Sequence, residues 1–179
     1  MAKKVLFIFL LLGAFLCLGC NNLGKVETKN IPFTILEQGN YTLEALTQAA
    51  PEPVIAVFDS QTDFAKAYNL ITQDTKDLSI NWDKELVVIV LRGSRGACKN
   101  AGIDIKKISQ EKAFAEIEVL VDNGQTEKEA CSVDLNPYMI IKTNQDQFIS
   151  YNDLTYQLID NNKDVLAEDT ISIIPEFLK

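Results

Sequence analysis

Ala113-Phe114-Ala115-Glu116-Ile117-Glu118-Val119-Leu120-Val121 decides the fold class. In an extended chain successive side chains point to opposite faces, so Ala115, Ile117, Val119 and Val121 share one face and Phe114, Glu116 and Glu118 the other. That is a strand with one side on a core and one side in water, which is the pattern of an antiparallel sheet. Immediately upstream, Ile103 to Ile108 reads as a second strand, and Ser109-Gln110-Glu111-Lys112 as the turn joining the two into an antiparallel hairpin. Downstream, Asp122-Asn123-Gly124-Gln125 turns again, Thr126 to Ala130 is a charged exposed stretch, and Pro137-Tyr138-Met139-Ile140-Ile141 opens another strand.

The rest of the chain extends the same picture. Leu86 to Leu91 is a continuous apolar run of strand length, as expected of a strand covered on both faces, and Val54 to Phe58 is a shorter one behind Pro51-Glu52-Pro53. Pro32 to Glu37 reads as a strand closed by a turn at Gln38-Gly39-Asn40, and Leu43 to Ala50 as a short helical turn or an irregular excursion. Between Ser60 and Thr72 the period changes to helical. Ser60 is a natural N-cap with Asp63 three residues on, and Phe64, Ala67, Tyr68 and Ile71 form one apolar stripe. Phe148 to Ile159 and Asp169 to Ile174 read as added strands around a turn at Asp160-Asn161-Asn162-Lys163. The expected class is therefore α+β, predominantly antiparallel β, sandwich-like or a partly open barrel, with one main α-helix.

The amino terminus sets the compartment. Lys3 and Lys4 precede an apolar run, Val5 to Leu18, interrupted only by Gly13, which is too short for a membrane span and suits an export signal. Leu16-Cys17-Leu18-Gly19-Cys20 resembles a lipobox, with a small residue before the acylated cysteine, although Cys17 stands where Leu is usual. The expected organisation is a signal peptide over 1–19, lipid on Cys20 with a polar tether over 20–30, a β-rich domain over 31–144, and a C-terminal β extension of that domain over 145–179. Several acyl chains make membrane attachment effectively permanent. The expected location is the extracytoplasmic side of a bacterial cell envelope. Asn21 after the cysteine, in place of an inner-membrane retention Asp, favours the outer membrane or cell surface.

Loss of the leader removes two of 17 basic residues and none of 25 acidic ones, leaving a formal charge of −10, so nucleic acid is not expected as a partner. With Cys17 cleaved away and Cys20 lipidated, Cys98 and Cys131 remain as a pair in an oxidising compartment. A disulfide between them would close a loop of about thirty residues, worth roughly 3–4 kcal/mol in the chain-entropy account; two free cysteines are the alternative. The chain has no histidine, so neither a zinc centre nor the usual serine triad is expected, and no cofactor is implied.

Other candidate chemistry is thin. Glu116 and Glu118 share a strand face as an acid–base pair would, but alternation on a half-exposed strand produces such pairs routinely. Gly93-Ser94-Arg95-Gly96 lacks the ending of a phosphate loop and leads into a strand, and Ser94 has no histidine base. Asp153, Asp160, Asp164 and Asp169 match no calcium-loop spacing. Trp82, the sole tryptophan, reads as a core anchor. Arg92 and Arg95 are the only arginines and flank a glycine; they could engage an acidic patch on a partner, or pair internally in an acidic protein.

The order of features along the chain resembles the PrcB-type domain of an exported protease complex. The residues that carry this resemblance are Phe33-Thr34-Ile35-Leu36-Glu37-Gln38-Gly39, Val57-Phe58-Asp59-Ser60 with Phe64, Ile80-Asn81-Trp82 leading into Glu85 to Val90, Gly93 with Gly102-Ile103-Asp104-Ile105, and Asn136 to Ile141. The family commonly has an aromatic after its second glycine, where Ile103 stands here. The resemblance implies a small antiparallel β domain without chemistry of its own and an exported protease as partner. The expected function is a non-catalytic, lipid-anchored extracytoplasmic interaction domain, an accessory subunit of an exported protease complex. The alternative is an extracytoplasmic lipoprotein that binds a small molecule or ion.

Overall fold

The computed structural model describes residues 28–41, 52–74, 76–93, 101–122, 136–149 and 153–171. In chain order the elements are β1 (Lys29–Asn30), β2 (Thr34–Tyr41), β3 (Val54–Phe58), α1 (Gln61–Thr72), β4 (Glu85–Leu91), β5 (Gly102–Glu111), β6 (Phe114–Asp122), β7 (Asn136–Asn144), β8 (Leu154–Ile159) and β9 (Val165–Ile171). They make two sheets, one of five strands in the order β1-β5-β6-β8-β9 and one of four in the order β2-β7-β4-β3. Among the described residues the fold is an α+β sandwich with one α-helix and no closed barrel.

The apolar code of β4 explains the layering. Leu86, Val88 and Val90 point into a core shared with Ile105, Ile117, Val119, Leu154 and Leu158 of the five-stranded sheet. Val87, Ile89 and Leu91 point the other way, onto Phe64, Tyr68 and Ile71 of α1. Helix, four-stranded sheet and five-stranded sheet therefore stack as three layers, and β4 is apolar from Leu86 to Leu91 because that stretch has no face in water. The alternation of β6 is as read from sequence: Ala115, Ile117 and Val119 are fully buried, while Phe114 and Leu120 are exposed.

Helix α1 starts where its N-cap stands. Ser60 is extended (φ −134°, ψ 142°) and its hydroxyl accepts from the Asp63 amide. Gln73 ends the helix in the left-handed region (φ 57°), its N–H donating to the Asn69 carbonyl.

Four details depart from the sequence expectation. Gln38-Gly39-Asn40 is not a turn, because β2 continues through it to Tyr41, paired in register with Pro137 to Met139. The glycine has a packing reason instead. A Cβ on Gly39 would stand 3.0 Å from the Tyr138 ring, so the strand needs a bare position where that ring lies. Ser109 to Glu111 likewise remain in the ladder, and the hairpin turns at Lys112, which adopts the left-handed region (φ 55°). Lys29 and Asn30, placed in the tether by sequence, pair with Gln110 and Ser109. Finally, β8 joins β6 in parallel, from Phe114↔Thr155 to Glu118↔Ile159, so the tail is integral to the five-stranded sheet. The excursion read at Leu43 to Ala50 lies outside the described residues.

Between the sheets, a side chain takes the place of a backbone ladder. Asp169 on β9 accepts the Val57 N–H of β3 at 2.8 Å, which satisfies an edge donor and ties the two sheets at one corner. Gly39→Ala is expected to lower the unfolding free energy by about 1–3 kcal/mol through overpacking against Tyr138. A urea midpoint unchanged from the parent would show that the ring moves aside at no cost.

Candidate functional site

A cleft of 340 Å³ opens between α1 and the segment that leads from the helix into β4. Phe64 and Tyr68 come from the buried stripe of α1; Leu78, Ile80 and Trp82 come from the segment opposite, and Asp74, Lys76 and Asp77 stand at the rim. The aromatic lining is interlocked. Phe64 lies 5.5 Å from both Tyr68 and Trp82 by ring centroid, and Phe58 meets it edge-on at 5.8 Å. Trp82 is half-buried, packed on the edge of the helix-side core while also forming one wall of the cleft.

Local hydrogen bonds hold the facing segment in place without regular structure. The Ser79 amide donates to Asp77 at 2.8 Å, with Ser79 in the left-handed region (φ 53°). The Asn81 amide donates to the Glu85 carboxylate at 2.8 Å, and the Lys84 and Glu85 amides both return to the Asn81 carbonyl. Lys142 closes a half-buried ion pair on Glu85 at 3.0 Å. Burial of Glu85 opposes ionisation, but the Asn81 and Lys142 contacts outweigh it and hold its carboxyl below the usual range.

Beside the cleft, three polar groups meet. The Glu37 carboxylate accepts from the Tyr68 hydroxyl at 2.9 Å and from the Tyr138 hydroxyl at 2.6 Å, joining β2, α1 and β7. Burial, then the hydrogen bond and charge of Glu37, push Tyr68 from its ordinary value of 10 up to about 12. The same causes push Tyr138 upward. Sequence reading missed this group, because Glu37 lies 31 residues from Tyr68 and 101 from Tyr138. The one available signal was Tyr68 on an otherwise apolar helix stripe, where a hydroxyl needs a partner.

The sequence-picked residues separate. Arg92 is 3 % exposed, its Nε donating to the Asp122 carbonyl at 3.2 Å and its Nη1 to the Gly93 carbonyl at 3.2 Å. It joins the ends of β4 and β6 and shows little surface to a partner; burial lowers its basicity, opposed by nearby Asp122. Arg95, Ser94, Cys20, Cys98 and Cys131 lie outside the described residues. Glu118 is tied to Lys163 at 2.7 Å across a solvated sheet face, and Glu116 lies on the same strand two residues away. Asp160 organises its own turn, accepting from the Asn162 and Asp164 amides at 2.8 and 2.9 Å. Among the described residues no three potential metal ligands converge.

Tyr68 carries a pH consequence. Its folded value lies above that of the unfolded chain, so its contribution is complete below pH 10 and is lost as pH rises towards about 12. Stability measured by denaturant titration should fall over that alkaline window more steeply in the parent than in Tyr68→Phe; parallel curves would discard the assignment. Comparison with protein-family models, with curated proteins and with solved structures finds no match to this chain.

Proposed function

We propose that this chain is a non-catalytic, lipid-anchored extracytoplasmic domain that holds an exported protein at the cell envelope, in the manner of the protease-complex subunits its sequence resembles. The observation that carries the reading is the aromatic cleft. Phe64, Tyr68 and Trp82 line it, with Asp74, Lys76 and Asp77 at the rim. Large, rigid aromatic side chains around a concavity are the surfaces from which binding hot spots are built. Two carboxylates against one ammonium at the rim favour an apolar side chain flanked by basic residues. The polar groups beside the cleft serve packing: Glu37 is engaged by two tyrosine hydroxyls and joins three elements.

A second reading has a specific observation behind it. At 340 Å³ the cleft falls within the size range of small-molecule sites, about 300–1,000 Å³. The two readings separate with a photoreactive residue placed at Asn69 on the cleft wall. In native membranes the interaction reading expects one exported protein crosslinked in stoichiometric yield, with capture reduced about tenfold or more by Trp82→Ala. Bait recovered alone, together with a thermal shift on adding a metabolite or metal, would replace the first reading with the second. The anchor is checked separately. The intact mass of the mature protein is expected to show acyl chains on Cys20, and a bare thiol there would remove the anchor.

A further inference from the structure

The tether enters the fold at one end of the five-stranded sheet. Lys29 pairs with Gln110, so Thr28 arrives beside Glu111, at the tip of the hairpin formed by β5 and β6. Gln110 is fully buried and fastens a second segment to the same tip. Its Nε2 donates to the Lys112 and Ile149 carbonyls at 2.8 and 3.0 Å, and its Oε1 accepts the Ile149 amide at 2.7 Å. Two large apolar side chains are consequently held at this end in water, Phe114 at 45 % exposure and Ile149 at 46 %. Lys112 is exposed and Lys29 half-exposed at the same end, where half-exposed Glu111 is the cross-strand neighbour of Phe114.

Chain length restricts how such a domain can sit over a bilayer. From Cys20 to Thr28 there are eight peptide steps, at most about 29 Å when fully extended. Strand β5, ten residues long, spans roughly 31 Å. An inverted domain, with the Gly102 end on the bilayer, would leave Thr28 about a strand length above the surface, which the tether reaches only when fully taut. Orientations with the hairpin tip down need no extension. The outer face of β6 is a poor alternative contact, since Glu116 and Glu118 lie along it and would meet a surface that is commonly anionic.

We infer that the β5–β6 hairpin tip, with Phe114 and Ile149 as apolar contacts and Lys29 and Lys112 at the same end, seats in the headgroup region of the bilayer that carries the anchor. The inference rests on the lipid anchor proposed above. An aromatic and a branched aliphatic side chain at the water interface, with lysines beside them, is the composition that partitions there. The bilayer thereby fixes the orientation of the domain as well as its location.

The test uses the full-length lipidated protein in vesicles of phosphatidylethanolamine and phosphatidylglycerol, with and without bromine on the acyl chains. Phe114→Trp reports the tip. Leu120→Trp, six residues further along the same strand and about 20 Å away, reports the far end. Both parent side chains are exposed, and Trp82 is kept in every protein so that its signal cancels against the unsubstituted chain. Bromine quenching of the added tryptophan is expected to be several-fold stronger for Phe114→Trp, with a blue-shifted emission that Leu120→Trp lacks. Equal quenching at the two positions in protein that floats with the vesicles would overturn the inference and leave the anchor standing. Protein that does not float and carries no lipid by mass would overturn the anchor itself.

Discussion

The pairing of β4 with β7 is the constraint on which the other layers depend. Seven registered pairs run from Glu85↔Asn144 to Leu91↔Tyr138, and nearly every residue on both strands is buried. A strand pair that is apolar on both faces cannot stand as the outer layer of a sandwich. It must be covered twice, at about 25 cal/mol for each Å² of apolar surface removed from water. The five-stranded sheet covers one face through Ile117, Leu154 and Leu158, and α1 covers the other through Phe64, Tyr68 and Ile71. The helix is thus required by β4 and β7, and its own propensity is secondary: a twelve-residue helix is marginal alone.

That requirement also creates the cleft. One short helix cannot cover the whole outer face of a four-stranded sheet, and the segment after it completes the layer with Leu78, Ile80 and Trp82. Because this segment is held by side-chain to backbone bonds and not by a ladder, it leaves a concavity against α1. Glu37 belongs to the same logic. Tyr68 and Tyr138 each bring a hydroxyl into a mainly apolar layer, and one carboxylate from β2 satisfies both. The group is therefore explained by packing, and the bare backbone at Gly39 makes room for the Tyr138 ring that takes part in it.

Elements whose signal is local were legible in the sequence. The alternation of β6, the double-faced run of β4 and the Ser60 cap of α1 each depend on residues within one strand or turn, and the structure follows them closely. What failed was set by partners distant in the chain. Gly39 carries the composition of a turn, yet it sits in a strand because of a tyrosine 99 residues later. The parallel pairing of β8 with β6 is invisible in the pattern of either strand, since the chain first crosses to the other sheet as β7 and then returns. Arg92 stood out by being an arginine, but composition does not reveal that its guanidinium points back onto the carbonyls of Gly93 and Asp122. The candidate cleft was legible only in its parts: Trp82 and the α1 stripe were both noted, and their facing each other was not.

One geometric relation links the proposed anchor to the proposed recognition surface. The four-stranded sheet has β4 beginning at Glu85, opposite the end of β7 at Asn144, and the Gln145 amide donates to the Lys84 carbonyl there. From that point the chain passes within a few residues to Ile149, which Gln110 holds against the hairpin tip. Trp82 immediately precedes this junction, and Phe58, paired with Val87, delivers the chain to the start of α1 at the same end of the sheet. The Trp82 wall of the cleft and the point where the chain enters the sheet at Lys29 thus belong to one end of the sandwich. On the proposed anchoring, a segment seated against Trp82 would lie close to the bilayer, which favours partners whose recognised segment is itself near a membrane. A freely diffusing enzyme would gain less from this arrangement than a protein already confined to the same surface, because confinement raises effective concentration only when both molecules can meet without straining a tether.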